Sequence, residues 1–228
     1  MPILMYHRVA DDGPASLARW RVSPPDFERQ IAWLATEGYK SVRLDQWLDT
    51  ERRDPAALRR RVVLTFDDAY ADFVSTAFPV LQRHRFGSTM FVPTGYMGGF
   101  ADWDRDFGTP APLMTWDDLG RLAKAGVEIG AHTITHPRLT RLKDEAVAHE
   151  IRESRVELER RLGLTVPTFA YPYGDYNDSV EKAVEAAGLS VAVTVDGESH
   201  GPLALGRIGI YGDEPFEVFV EKMTAAPK

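Results

Sequence analysis

Two short segments of this 228-residue chain hold residues whose types and spacing suit metal chemistry. They are Val62-Val63-Leu64-Thr65-Phe66-Asp67-Asp68 and Val127-Glu128-Ile129-Gly130-Ala131-His132-Thr133-Ile134-Thr135-His136. Each is an apolar run that ends abruptly in groups able to bind a cation. Two imidazoles and one carboxylate make a three-ligand divalent site with an open position. Hydrolytic metal centres need that open position and structural ones lack it. Adjacent residues just past a strand point different ways, so one carboxylate of the pair is a ligand and the other is free to act as a base. Standing alone, Asp67-Asp68 reads as the N-cap of a helix beginning near Tyr70. His132-x-x-x-His136 would share one face of a helix. Here it follows a strand directly and precedes Pro137, so the spacing predicts a loop or a single turn.

Other candidates are less specific alone. His7 follows an apolar run and reads either as a hydrogen-bonded core residue or, beside an activated water, as a general acid with a suitable pKa. Tyr171-Pro172-Tyr173-Gly174 is either a turn packed with aromatics or a surface on which a sugar ring stacks. A backbone N–H there could also face an oxyanion. Trp116, Trp103 and Tyr96 add either aromatic surface at the site or core. His84, His149 and His200 take no role.

Elements must bring these groups together. Strands are expected at Ile3 to Tyr6, Ser41 to Arg43, Val62 to Phe66, Ser88 to Val92, Val127 to Ala131, Thr168 to Tyr171, Val191 to Thr194 and Gly206 to Ile210. Most are continuous apolar runs, as for strands covered on both faces. Helices lie between them. One starts at the Ser23-Pro24-Pro25-Asp26 cap and ends at Gly38; another starts at the Thr115 to Asp118 capping box and ends at Gly126. The longest spans about Asp144 to Leu162, with Val147, Ile151, Ser154, Leu158 and Leu162 as its stripe. Its charges, Glu150 among them, read as a solvated face that belongs to the scaffold. Further helices cover Ser179 to Ala187 and the segment from Pro215. This alternation predicts an α/β fold with a largely parallel sheet, in one domain over residues 1–228, and the number of strands favours a barrel. Active sites of such folds gather at the carboxyl ends of the strands. Tyr6-His7, Asp67-Asp68, His132 to His136 and Tyr171 to Gly174 all sit at such ends, and Arg207 lies close to a late strand. The long irregular stretch from Pro93 to Met114 is expected to form a wall or lid there.

Bulk composition bounds the rest. Hydrophobic residues make up 44% and charged residues 27%, with a net charge of -7. No basic face is evident, which argues against nucleic acid as a partner. Arg59-Arg60-Arg61 precedes a strand and reads as solvated. There is no cysteine, so any metal is held by His, Asp or Glu. No run approaches the ~20 apolar residues of a membrane span. The N-terminus reads as a strand rather than a signal peptide, which taken literally leaves the protein in the cytoplasm; removal of an export signal would make it extracytoplasmic. No feature sets an oligomeric state.

In this order, these residues resemble the polysaccharide deacetylase family, carbohydrate esterase family 4, also called the NodB-homology domain. Thr65-Phe66-Asp67-Asp68 is similar to its first motif and His132-Thr133-Ile134-Thr135-His136 to its second. The resemblance covers nearly the whole chain. It implies a distorted (β/α)7-type barrel. It also implies a divalent metal, most often Zn2+ with Co2+, Ni2+ or Fe2+ able to use the same ligands, held by Asp68, His132 and His136. Asp67 matches the catalytic base, and Tyr173 the residue whose backbone N–H meets the oxyanion. Two departures stand out. No Arg precedes Tyr171-Pro172-Tyr173, and the late Leu-x-His is absent from Leu203-Ala204-Leu205-Gly206-Arg207-Ile208. Met5-Tyr6-His7-Arg8-Val9 resembles the start of the branch acting on poly-β-1,6-N-acetylglucosamine, in which the strands are circularly permuted relative to the common order. His7 is then expected as the general acid and Arg207 as the partner of Asp67.

The implied reaction is metal-assisted removal of N-acetyl groups from N-acetylglucosamine-containing glycans, releasing acetate. Tyr171, Pro172 and Trp116 are expected to bind the sugar. Two alternatives remain: a deacetylase of a small or lipid-linked amino sugar or other amide, and a sugar-binding module that has lost catalysis.

Overall fold

A computed structural model describes residues 1–47, 60–195 and 197–225. In chain order its strands and α-helices are β1 (Ile3–Tyr6), β2 (Arg8–Val9), β3 (Arg21–Val22), α1 (Pro24–Thr36), β4 (Lys40–Ser41), β5 (Arg61–Phe66), α2 (Phe78–His84), β6 (Thr89–Val92), α3 (Trp116–Lys124), β7 (Glu128–Ala131), α4 (Asp144–Leu162), β8 (Thr168–Ala170), α5 (Asp178–Ala186), β9 (Val191–Val193), β10 (Ile208–Gly209) and α6 (Phe216–Ala225). The main sheet runs β10-β1-β5-β6-β7-β8-β9, with β4 on the flank of β5. Its pairings are parallel.

The ring closes through one segment. Leu205 bridges Val193 of β9 in parallel, and Ile208 and Gly209 pair with Leu4 and Met5 of β1. The fold is therefore the distorted α/β barrel expected, with the N-terminal strand set between β5 and the C-terminal strand. Period-two alternation sorts the strand residues. Ile3, Val63, Phe91, Ala170, Val191 and Val193 cluster inside the barrel. Leu4, Leu64, Met90, Ile129, Phe169 and Ala192 face the helices. This two-sided burial explains the continuous apolar runs. Gly130 lets β7 pass the packed interior, because a Cβ there would lie 2.5 Å from the Phe91 ring.

Helix punctuation follows the sequence. Ser23 Oγ accepts from Asp26 N at 3.2 Å, Thr115 and Asp118 form a capping box, and α4 ends on left-handed Gly163 (φ 66°). Three details differ from expectation. The segment after Asp68 makes a π-helical turn over Phe73–Ala77 before α2. Helix α5 starts at Asp178 because Asn177 caps it by accepting from Val180 N. The two-residue strands β2 and β3 pair in parallel and are too short to leave a periodic signal. In the basic run, Arg60 pairs with Glu37 on the surface, while Arg59 lies outside the described residues. No helix among the described residues is long and apolar enough to cross a membrane.

Candidate metal centre and active site

The ends of β1, β5, β7 and β8 converge on a cavity of about 410 Å³, lined by His7, Asp67, Asp68, His132, His136 and Tyr173 among others. Asp68, His132 and His136 are buried, and one ligand atom from each lies within 4.8 Å of the others. Asp68 Oδ1 is 3.4 Å from His132 Nε2 and 3.2 Å from His136 Nε2. His132 Nδ1 lies 2.7 Å from the Ala170 carbonyl. A carbonyl only accepts, so Nδ1 carries the proton and Nε2 presents its lone pair inward. Asp68 Oδ1 is buried without a hydrogen-bond partner. An orphaned carboxylate oxygen beside two Nε2 atoms fits a divalent cation. Burial pushes the Asp68 carboxyl up, but His136 and His132 outweigh it and hold it well below the usual carboxylate range.

Backbone strain is concentrated here. Among the described residues, seven non-glycine residues have positive φ, and Asp68 (74°), Ala69 (56°), Thr133 (67°), His136 (56°) and Tyr173 (60°) are five of them. For β-branched Thr133 the left-handed region is a true outlier. Such conformations cost about 1–3 kcal/mol each and persist only where neighbours enforce them. Here those neighbours are visible. Thr94 N and Gly95 N donate to the Thr133 and Ile134 carbonyls at 3.1 and 2.8 Å. His136 N donates to Thr133 Oγ1 at 3.0 Å. Glu150 of α4 accepts from Ile134 N at 2.8 Å, Thr135 N at 2.9 Å and Thr135 Oγ1 at 2.6 Å. Glu150 thus corrects the reading of that helix face as wholly solvated scaffold. It lies three residues after Val147, at the border of the buried stripe, and that position was the available signal.

Beside the triad, Arg207 grips Asp67 with two parallel bonds, Nη1 to Oδ1 and Nη2 to Oδ2, each 2.7 Å. Arg207 is itself 1% exposed and anchored by the Thr194 carbonyl and Thr65 Oγ1 at 2.7 and 3.0 Å. Burial pushes the Asp67 carboxyl up, and Arg207 more than reverses this, leaving it below its ordinary value. His7 Nε2 sits 4.0 Å from Asp67 Oδ2. Burial holds the imidazole below its usual range against the pull of Asp67 and Asp68.

The Pro93 to Met114 stretch forms a wall. Trp103 lies over the His136 ring at 4.4 Å, with Tyr173 at 4.6 Å from the same ring. Tyr96 packs on Trp103. Asp104, which the sequence did not single out, also lines the cavity. Burial pushes its carboxyl up to about 6 although the Tyr70 hydroxyl donates to it. Burial also pushes the Tyr173 hydroxyl up to about 12.

Three expected sugar-binding residues stand elsewhere. Tyr171 is fully buried, donates to the Leu203 carbonyl at 2.9 Å and stacks on Tyr176. Pro172 is buried beneath the turn that carries Tyr173. Trp116 begins α3 under the Arg161 guanidinium, 4.5 Å from its ring, in a surface groove with Arg121 and Leu164. All three stand outside the cavity lining, Tyr171 and Trp116 because aromatic type alone does not say which face of an element a ring occupies, and Pro172 because it is buried in the turn.

The sequence profile of the family described as polysaccharide deacetylase matches residues 55–192. The chain belongs to the polysaccharide deacetylase family. The matched region holds the triad and Asp67, while His7 and Arg207 lie outside it. Bacillus subtilis (strain 168) YxkH, to which polysaccharide deacetylase activity is ascribed, is 26% identical over 98% of this chain and 77% of its own length. The poly-beta-1,6-N-acetyl-D-glucosamine N-deacetylase of Staphylococcus aureus is 24% identical over 96% of this chain and 81% of its own length. Among solved structures, Streptococcus pyogenes deacetylase PplD in complex with acetate superposes with a TM-score of 0.83 at 27% identity, covering 98% of this chain and 97% of that one. This family member is thus a hydrolase that deacetylates polysaccharide.

Proposed function

We propose that this polysaccharide deacetylase is a metal-dependent N-deacetylase of glycans containing N-acetylglucosamine, that it releases acetate, and that its 228 residues act as one catalytic domain. The observation that carries this reading is the buried Asp68–His132–His136 triad beside an Asp67 fixed by Arg207. A divalent ion held by the triad, zinc by preference for this donor set, would supply Lewis acidity and lower the pKa of water toward ~7. Each Asp67 oxygen gives one lone pair to Arg207 and keeps another for the proton of the attacking water. The Tyr173 backbone N–H donates to the oxyanion that develops. His7 Nε2, 4.0 Å from Asp67 Oδ2, takes over the proton that Asp67 removes from the water and delivers it to the departing amine. The S. aureus enzyme, which aligns with 96% of this chain at 24% identity, supports an N-acetylglucosamine polymer as the substrate class, and the acetate in the PplD structure supports acetyl chemistry.

The test combines metal analysis with acetate release from N-acetylglucosamine oligomers. One ion per chain is expected, with activity lost on chelation and restored by zinc. Bound metal without acetate from any acetylated glycan would overturn the reading in favour of a sugar-binding module.

A further inference from the structure

The cavity has an aromatic wall whose rings the reaction itself does not use. Trp20, Phe107 and Tyr173 line it while remaining 37%, 55% and 42% exposed. Large rings left wet around one cavity mark a binding surface. Trp20 is the most telling of the three. It ends the short turn Ala15–Trp20, in which no residue is buried, so it does not anchor the core. Its position has a backbone cause. Strand pairing sets Arg8 opposite Arg21, and the preceding residues, His7 and Trp20, are thereby brought side by side. Their ring centroids are 4.8 Å apart at 55°. Tyr211 supports the indole edge-on from 5.4 Å and is itself held beneath the Arg19 guanidinium at 3.7 Å. The indole is therefore fixed on two sides and open toward the cavity.

We propose that Trp20 is the stacking platform for the pyranose ring that carries the leaving amine, and so a specificity-determining residue for amino-sugar substrates. This rests on the deacetylase reading above. His7 must reach the departing nitrogen, which is bonded directly to a ring carbon of the sugar. The ring therefore has to lie within a bond or two of the His7 Nε2 target, where Trp20 is the exposed aromatic face against His7. The C–H face of a pyranose is apolar and covers an indole well, whereas a sugar-free amide gains nothing there.

The test measures binding and turnover together. Calorimetric Kd values for a glucosamine trimer, which cannot be deacetylated, are compared for the wild type, Trp20→Ala and Trp20→Phe. KM and kcat are read on the matching N-acetylglucosamine trimer. Trp20→Ala is expected to weaken Kd and raise KM about tenfold, a typical size for losing one ring contact, with a smaller change in kcat. Trp20→Phe is expected to restore both to within about threefold, which a merely structural role would not require. Equal Kd values for wild type and Trp20→Ala, or no binding by the wild type, would overturn the proposal. A wild type that binds the trimer through Trp20 but releases no acetate would count against deacetylation alone.

Discussion

Arg207 and Asp67, 140 residues apart in sequence, meet as a buried fork against a carboxylate, with both N–H···O bonds at 2.7 Å. The pair is enclosed at 0% and 4% side-chain exposure. In so dry a site an unpaired charge is costly, and removing one partner of such a pair costs about 3–5 kcal/mol. Arg207→Met is therefore expected to destabilise the fold by about that amount and to abolish acetate release. Arg207→Lys keeps the charge but not the planar fork. It is expected to fold and to lose about 100-fold in kcat through misorientation of Asp67. Denaturant unfolding and steady-state kinetics on the two variants check this; a fully active Arg207→Met protein would contradict it.

His7 is not one of the three donors, Asp68, His132 and His136, whose ligand atoms gather at the candidate metal position. Its Nε2 stands 4.0 Å from Asp67 Oδ2 instead. His7→Ala is thus expected to keep its full metal content while losing about 10²–10⁴-fold in amide hydrolysis, the usual range for a lost general acid. An aryl acetate leaves without needing a proton, so the loss on that ester should be far smaller than on the amide. Equal losses on the two substrates, or loss of metal, would show that His7 does something else.

How far the sequence speaks depends on whether the signal is local. The run Val62 to Phe66 and the run Val127 to Ala131 are continuous and apolar, and both form strands in the places expected. The groups at their ends meet because parallel strands present their carboxyl ends on one rim. The non-local pairs are harder. The strand that follows Arg207 is two residues long, and nothing near it in sequence points to Asp67; only the departures from the family motifs suggested the match. Trp20 reaches His7 through the pairing of two equally short strands. Tyr171 and Tyr173 are two residues apart and chemically alike, yet one is buried and the other 42% exposed, because the turn between them passes through φ 60° at Tyr173. Glu150 carried a charge on a charged helix, and type alone made it look solvated.

Glu150 is expected to matter through the loop it holds. Its carboxylate accepts from two consecutive amides, Ile134 N and Thr135 N, in the loop between His132 and His136. Outer partners that orient metal ligands are typically worth about 10–100-fold in metal affinity. Glu150→Ala should fold, bind zinc more weakly by about that factor, and recover activity when zinc is raised. A competition titration with a zinc indicator reads the affinity directly. Unchanged affinity would reduce Glu150 to a surface charge.

At the opposite end of the barrel, Glu128 predicts how stability changes with pH. Its carboxylate is buried at 7% exposure and accepts from Thr89 Oγ1, Thr168 Oγ1 and Asp45 N. Burial, seconded by Asp45, pushes it from 4.5 up to about 7 against those hydrogen bonds. The native state therefore binds a proton that the unfolded chain releases between about pH 4.5 and 7. Because the folded pKa is the raised one, the stability contributed by neutral Glu128 is complete below about pH 4.5 and fades as pH rises through about 7. At about 1.4 kcal/mol per unit, the full swing is about 3 kcal/mol. Glu128→Gln stays neutral at every pH and lacks this swing. Urea unfolding of both proteins across pH 5 to 8, at one fixed zinc concentration, should show the wild type losing stability relative to the variant as pH rises. Parallel curves would mean that Glu128 is already ionised in the folded barrel, with its hydrogen bonds rather than a proton offsetting its burial.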